Sequence, residues 1–264
     1  MLFIKKICLL LLVLPISSFG YTDSDFDGVE DAKDKCPNTS VIDLVDKNGC
    51  KIEESLHHFD VILGVKSIKI EDKNRDKNYY LTIKTAQIDY FYKNFSLNIT
   101  SAENDSKLED TYVSLKYKYE YNELVTFYTS FGVILPTHKN MLNNNRTDYS
   151  ISQSIHYEKN NFSLFGAYRY TFINNIDIEK ASLYYQNTNS YTLGIGYNLT
   201  QELYSSISVS SIENIYQEID NSKSTNISFL YSFDDNWFTN ISYTKTYNQS
   251  TISDTLSFRI GYYY

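Results

Sequence analysis

The chain has 264 residues with 24 Lys and Arg against 32 Asp and Glu, a net charge of −8, which argues against nucleic acid as a partner. Hydrophobic residues make up 42%, a fraction that suits a membrane barrel, where only every second strand residue must be apolar; a soluble β-sandwich gives similar totals. Beyond the first twenty positions no run of 18 apolar residues occurs, so spanning by helices is excluded.

Met1 to Gly20 read as a secretory signal peptide. Lys5 and Lys6 precede an apolar run, Ile7 to Leu14, and Pro15, Ser17, Ser18 and Gly20 follow as a cleavage region. Cys8 sits early in that run and is not a lipoprotein cysteine. An exported protein is expected, more acidic still once the two lysines are removed.

Residues 21–57 carry the most specific chemistry. Asp23, Asp25, Asp27, Gly28 and Asp34 fall at positions 1, 3, 5, 6 and 12 of a twelve-residue loop. Alternating hard oxygens, a glycine for the sharp turn and a closing carboxylate are what Ca²⁺ requires. Val29 would supply a backbone carbonyl, and Asp31 would bind directly or through water. With the mature chain starting just upstream, no helix precedes the loop, so an EF-hand is not expected. The run D-S-D-F-D-G-V-E-D-A-K-D-K-C-P-N-T followed by V-D-K-N-G-C resembles a thrombospondin type 3 repeat, similar to the linker of the outer-membrane porin A family. The resemblance implies calcium held by Asp23, Asp25, Asp27, Asp31 and Asp34, with Asp46 and Asn48 near a second, incomplete site. It does not extend to the wall-binding domain of that family. Cys36 and Cys50, the cysteines left after processing, form an even pair that reads as a disulfide in an oxidising compartment. Closing this loop contributes roughly 3 kcal/mol in the chain-entropy model, in a segment too short to fold by core burial.

From residue 58 to 264 the expected fold is all-β, an antiparallel up-and-down transmembrane barrel of about twelve strands. Strands are predicted at 58–70, 79–92, 94–103, 110–121, 124–135, 148–158, 162–173, 189–199, 202–212, 223–233, 237–247 and 253–264, each long enough to cross an outer membrane. Short turns fall at 93–94, 122–123, 159–161, 200–201 and 234–236. Longer loops fall at 71–78, 104–109, 136–147, 174–188, 213–222 and 248–252. Short turns face the periplasm in this class, which assigns residues 21–57 to the periplasm. The final stretch, Leu256 to Tyr264, alternates strictly and resembles the closing strand of bacterial outer-membrane β-barrels, which the barrel assembly machinery reads.

Alternation assigns the faces. Val61, Leu63, Val65, Leu115, Phe131, Leu164, Leu193, Ile227 and Phe229 are expected to face lipid. Strand 79–92 breaks phase between Leu81, Ile83 and Ala86, Ile88, Tyr90, so a bulge is expected there. Tyr92, Tyr119, Tyr157, Phe162, Trp237 and Tyr262 form a periplasmic aromatic girdle. Lys116, Lys118, Arg169 and Arg259 are expected in a polar lumen, where they would bias a narrow path toward anions or pair and plug it.

No enzyme is expected. Ser154 and His156 share a face but lie near the periplasmic end, and His138 with Thr137 matches no barrel-hydrolase arrangement. The expected function is therefore a calcium-binding outer-membrane barrel, a passive channel for small solutes or a structural protein. An adhesion role through loops 136–147 and 174–188 is the alternative.

Overall fold

The computed structural model describes residues 23–25, 28–31, 33–39, 45, 47–50, 57–73, 76–105, 107–137, 146–174, 179–180, 183–248 and 250–264. The expected signal peptide, Asp27, Asp46 and His138 lie outside them. The chain divides into two units, Met1–Ser55 and Leu56–Tyr264.

In the first unit a disulfide joins Cys36 and Cys50, whose Cα atoms are 4.9 Å apart. Polar contacts brace it: the Lys35 amide donates to the Asn48 carbonyl at 2.7 Å. The Thr39 hydroxyl lies 2.8 Å from the Cys36 carbonyl and 2.7 Å from that of Gly49. Gly28 turns the acidic loop with a φ of 93°, a left-handed conformation that side chains with a Cβ resist.

The second unit follows the period-2 pattern of the sequence. Its twelve long strands are β1 (His57–Asp72), β2 (Lys77–Tyr92), β3 (Phe95–Asn104), β4 (Thr111–Asn122), β5 (Val125–Leu135), β6 (Asp148–Lys159), β7 (Phe162–Phe172), β8 (Thr188–Asn198), β9 (Leu203–Ile212), β10 (Ser222–Ser232), β11 (Trp237–Tyr247) and β12 (Thr251–Tyr263). Two-residue ladders at Lys107–Leu108 and between Glu179–Lys180 and Leu183–Tyr184 belong to loops. Each long strand pairs antiparallel with the next, and β12 pairs with β1, so the sheet closes and leaves no edge.

The register fixes the tilt. A path of directly paired residues leaves β1 at His57 and crosses Tyr92, Phe95, Tyr117, Thr129, Gln153, Tyr168, Tyr191, Ser211, Lys223, Tyr247 and Ile252. It returns to β1 at Glu71, fourteen positions further along. Such a stagger over twelve strands goes with strands inclined by about 40° to the barrel axis.

Exposure is inverted relative to a soluble protein. Leu63, Phe131, Leu193 and Leu256 are 56%, 60%, 64% and 56% exposed, while Ser114, Ser130, Ser150 and Ser257 are buried. A water-soluble sandwich would bury the first set. A barrel with hydrocarbon outside and water inside arranges them this way.

Three expectations need correction. β1 and β2 run on in register to Asp72↔Lys77, so both ends of the loop expected at 71–78 are strand. The loop expected at 248–252 is a tight turn, in which the Asn248 side-chain oxygen accepts from the amides of Ser250 and Thr251 at 2.9 and 2.6 Å. The bulge expected in β2 is not there: all sixteen of its residues pair with β1 in unbroken register. Leu81 and Ile83 break phase because they face inward opposite Ile68 and Lys66, while Lys84 faces outward and pairs with Glu103 at 3.1 Å. The register shift falls instead in β4, between Glu120 and Asn122.

Candidate functional site

The inward face of the barrel is divided by chemistry. Strands β4 to β7 carry cations interleaved with rings. The Lys116 ammonium lies 5.7 Å from the Tyr128 ring centroid, and the Arg169 guanidinium 5.2 Å from that of Tyr112, both within cation–π range. Tyr128 meets His156 edge-on at 5.1 Å, and His156 stacks on Phe165 at 5.9 Å. Lys118 is paired with Glu120 at 2.6 Å.

Strands β8 to β11 present neutral hydroxyls and amides. Thr192 and Ser210 bond at 2.9 Å, the Asn240 amide donates to Ser228 at 2.7 Å, and the Thr244 hydroxyl donates to Asn226 at 2.8 Å. At the closing seam Arg259 donates to the Gln87 side-chain oxygen. Beside it Asp89 accepts from Asn98 at 2.6 Å and from Gln87.

With the strand tilt of about 40° taken into account, the register brings Lys116, Arg169, Arg259 and Lys66 to mid-depth. Most inward carboxylates lie elsewhere: Asp60, Glu120 and Glu158 near the end that holds Tyr264, and Asp148 near the other. Asp89 borders the central group, and two amides already hold it. The middle of the passage is therefore cationic.

Large inward side chains lie along the wall rather than across the passage. The nearest atoms to a Cβ placed on Gly194, Gly196, Gly132 and Gly261 belong to the rings of Phe165, Tyr204, Tyr112 and Phe238, and Arg259 covers Gly64 in the same way. Each ring or chain occupies space that only glycine leaves free on the neighbouring strand.

At the end away from Tyr264 the loops are structured. The Gln186 amide donates to Ile215 at 2.8 Å and the Gln217 amide to Tyr184 at 2.9 Å, joining the loop before β8 to the loop before β10. Glu213 accepts from the backbone and side-chain nitrogens of Asn189, both at 2.8 Å. Tyr185 is fully buried, its ring 5.1 Å from that of Tyr216. Burial, and then the bond to Tyr216, push its phenol up to about 12.

In the acidic loop the described aspartates accept from backbone amides. Asp23 accepts from the Gly28 amide at 3.0 Å, Asp25 from those of Asn38 and Thr39 at 2.7 Å each, and Asp34 from that of Cys36 at 2.7 Å. Asp31 accepts from the Ser24 amide and hydroxyl at 2.7 and 2.8 Å. The second oxygen of Asp23 is buried and has no hydrogen-bond partner among the described residues. Among the described residues no three His, Cys, Asp or Glu side chains stand together as a metal cluster. That orphaned oxygen, the hard-oxygen donors and the Gly28 turn nonetheless fit a Ca²⁺ loop that Asp27 would complete.

No protein family and no curated protein matches the chain. Solved structures do. An outer membrane channel of Pseudomonas putida F1 superimposes with a TM-score of 0.62 at 12% identity, over 79% of this chain and 95% of that one. The fold is that of a bacterial outer-membrane channel barrel. The NanC porin matches with a TM-score of 0.56 at 14% identity, over 76% and 98% of the two chains. The KdgM porin, solved with oligogalacturonate, gives 0.52 at 12% identity, over 75% and 97%.

The sequence singled out Lys116, Lys118, Arg169 and Arg259 but not Tyr128, Tyr112 and Gln87, which contact Lys116, Arg169 and Arg259, nor Phe165 beside His156. Those four share the inward parity of the cations, and that was the available signal. Tyr185 and Tyr216 stood out only as apolar rings inside polar loops.

Proposed function

We propose that this chain is an outer-membrane protein whose barrel is a narrow passive channel that favours small anionic solutes. The observation that carries this reading is the cationic centre of the lumen, with Lys66, Lys116, Arg169 and Arg259 facing a neutral wall of hydroxyls. A charged ring at mid-passage selects by sign. The resemblance in fold to channels and porins supports a passive role.

The membrane would supply lipid around the apolar outer wall, and the barrel assembly machinery would read the strand ending at Tyr264. Residues 21–57 would then stand in the periplasm, on the side of the short turns. There Asp23, Asp25, Asp27, Asp31 and Asp34, with the Val29 carbonyl, would hold one Ca²⁺, which stiffens the loop without entering the transport step.

Single-channel recording of the full-length mature protein in planar bilayers tests the channel. Steady conductance with anion preference is the expected record. Electrical silence from correctly folded protein contradicts it and leaves a structural or adhesive role through the outer loops.

A further inference from the structure

One lipid-facing position does not suit lipid. Gln153 on β6 is exposed on the outer wall, between the exposed side chains of Ile151 and Ile155. Four residues toward one end of the strand stands Tyr149, and four toward the other stands Tyr157, both also pointing outward. At about 3.4 Å per residue and a tilt of about 40°, each ring is about 10 Å in depth from Gln153. Aromatic rings mark the two interfaces, so the carboxamide sits near the centre of the apolar band.

Among the described residues its carboxamide has one hydrogen-bond partner, the Thr129 hydroxyl on β5, 2.8 Å from the side-chain oxygen. However the amide is turned, one hydroxyl cannot satisfy both of its ends. Two other hydroxyls on this face are satisfied by backbone: the Thr239 hydroxyl donates to the Arg259 carbonyl at 2.8 Å, and the Ser205 hydroxyl to the Tyr197 carbonyl at 3.4 Å. The open end of Gln153 faces hydrocarbon, which offers neither donor nor acceptor. Beside it runs an apolar groove of about 590 Å³, lined by Leu115, Phe131, Val133, Ile151 and Phe172.

We propose that this face, β5 to β7 around Gln153, is the contact between two copies of the chain in the membrane, with the two Gln153 amides paired across a twofold axis. A lipid chain can fill the groove but cannot bond the amide at that depth. A second copy brings an amide to the same depth and orientation. A carboxamide is also self-complementary, as a twofold contact demands. The inference rests on the membrane reading above.

The test uses the full chain expressed in cells, with Ile155→Cys added near the proposed axis and Ile227→Cys on β10 as the control. Outer membranes are isolated and mildly oxidised. Heat-modifiable migration on gels reports the folded barrel in every variant. The expected result is a disulfide-linked dimer for Ile155→Cys and none for Ile227→Cys. Adding Gln153→Leu, an apolar change on a lipid-facing site, should lower the dimer yield by about fivefold while the barrel stays folded. An undiminished yield with Gln153→Leu overturns the proposal, as does equal crosslinking of the control. So does a folded barrel in the outer membrane that gives no dimer. A chain missing from that fraction overturns the membrane reading itself, and this inference with it.

Discussion

The guanidinium of Arg259 on β12 reaches past β1 to the side-chain oxygen of Gln87 on β2, lying over Gly64 as it does so. The bond ties the last strand of the barrel to the second across β1, at the level where the lumen is most cationic. Barrel closure and the positive charge of the lumen thus meet in one side chain.

Neutralising Arg259 should therefore act on both. A unit charge about 7 Å from a passing ion in water-like surroundings favours an anion and disfavours a cation by about 0.6 kcal/mol each, so Arg259→Gln, Arg169→Gln and Lys116→Gln should each reduce the anion-to-cation permeability ratio by about sevenfold at low salt. Lys118→Gln should do less, because Glu120 already neutralises Lys118. Reversal potentials across a salt gradient measure this, and equal effects at all four positions would refute the mid-depth assignment.

Gly194 and Gly196 let the rings of Phe165 and Tyr204 lie flat against the wall. Gly194→Leu should push Phe165 toward the axis and lower the single-channel conductance, at a cost of about 1–3 kcal/mol from overpacking. Gly166→Ala, which faces outward toward Leu193 and Ile155 at 3.2 and 3.7 Å, should leave conductance unchanged. Urea titration of both variants checks that the barrel is intact.

For the acidic loop, a calcium titration followed by the proteolytic susceptibility of residues 23–50 should show protection with a midpoint of about 10⁻⁴ to 10⁻³ M. Asp23→Asn, which alters the carboxylate with the orphaned oxygen, should shift that midpoint upward. Reducing Cys36–Cys50 should remove roughly 3 kcal/mol from this unit. Protection that ignores both calcium and chelator would remove the metal assignment.

The clasp around Tyr185 should respond to alkali. The phenol is raised from 10.0 to about 12 by burial, so its contribution is complete below pH 10 and is lost as pH climbs toward 12. Hydrogen exchange at Gln186 and Gln217, whose amides bridge the two loops, should accelerate over that window. Tyr185→Phe should abolish the step.

Much of the barrel is legible in the sequence, because alternation at Val61, Leu63 and Val65 or at Leu256, Phe258 and Ile260 encodes both strand and face. The pattern failed at Leu81 and Ile83 for a physical reason. There β1 and β2 run on toward the outer rim, and apolar side chains packed inward on Ile68 replace lipid contact. The strand ends at Asp72, Lys77 and Thr251 were also misjudged, since polar residues that look like loop can extend a strand beyond the membrane. Most of the lumen could be read only in part: parity places Lys116 and Arg169 inward, but the depth of each follows from the stagger of the whole ring. Periodicity gives no sign of that stagger, or of the Tyr185–Tyr216 contact.

The most direct test asks whether neighbouring side chains on one strand meet different solvents. Single cysteines at Ile207 and Ser208 of β9 can be compared in native outer membranes with a small water-soluble thiol reagent and with a quencher confined to the acyl chains. The account requires Ser208→Cys to react with the reagent and escape the quencher, and Ile207→Cys to do the reverse. Equal reaction with the water-soluble reagent at both positions would mean that the outer face is wet, and that this barrel does not sit in a membrane.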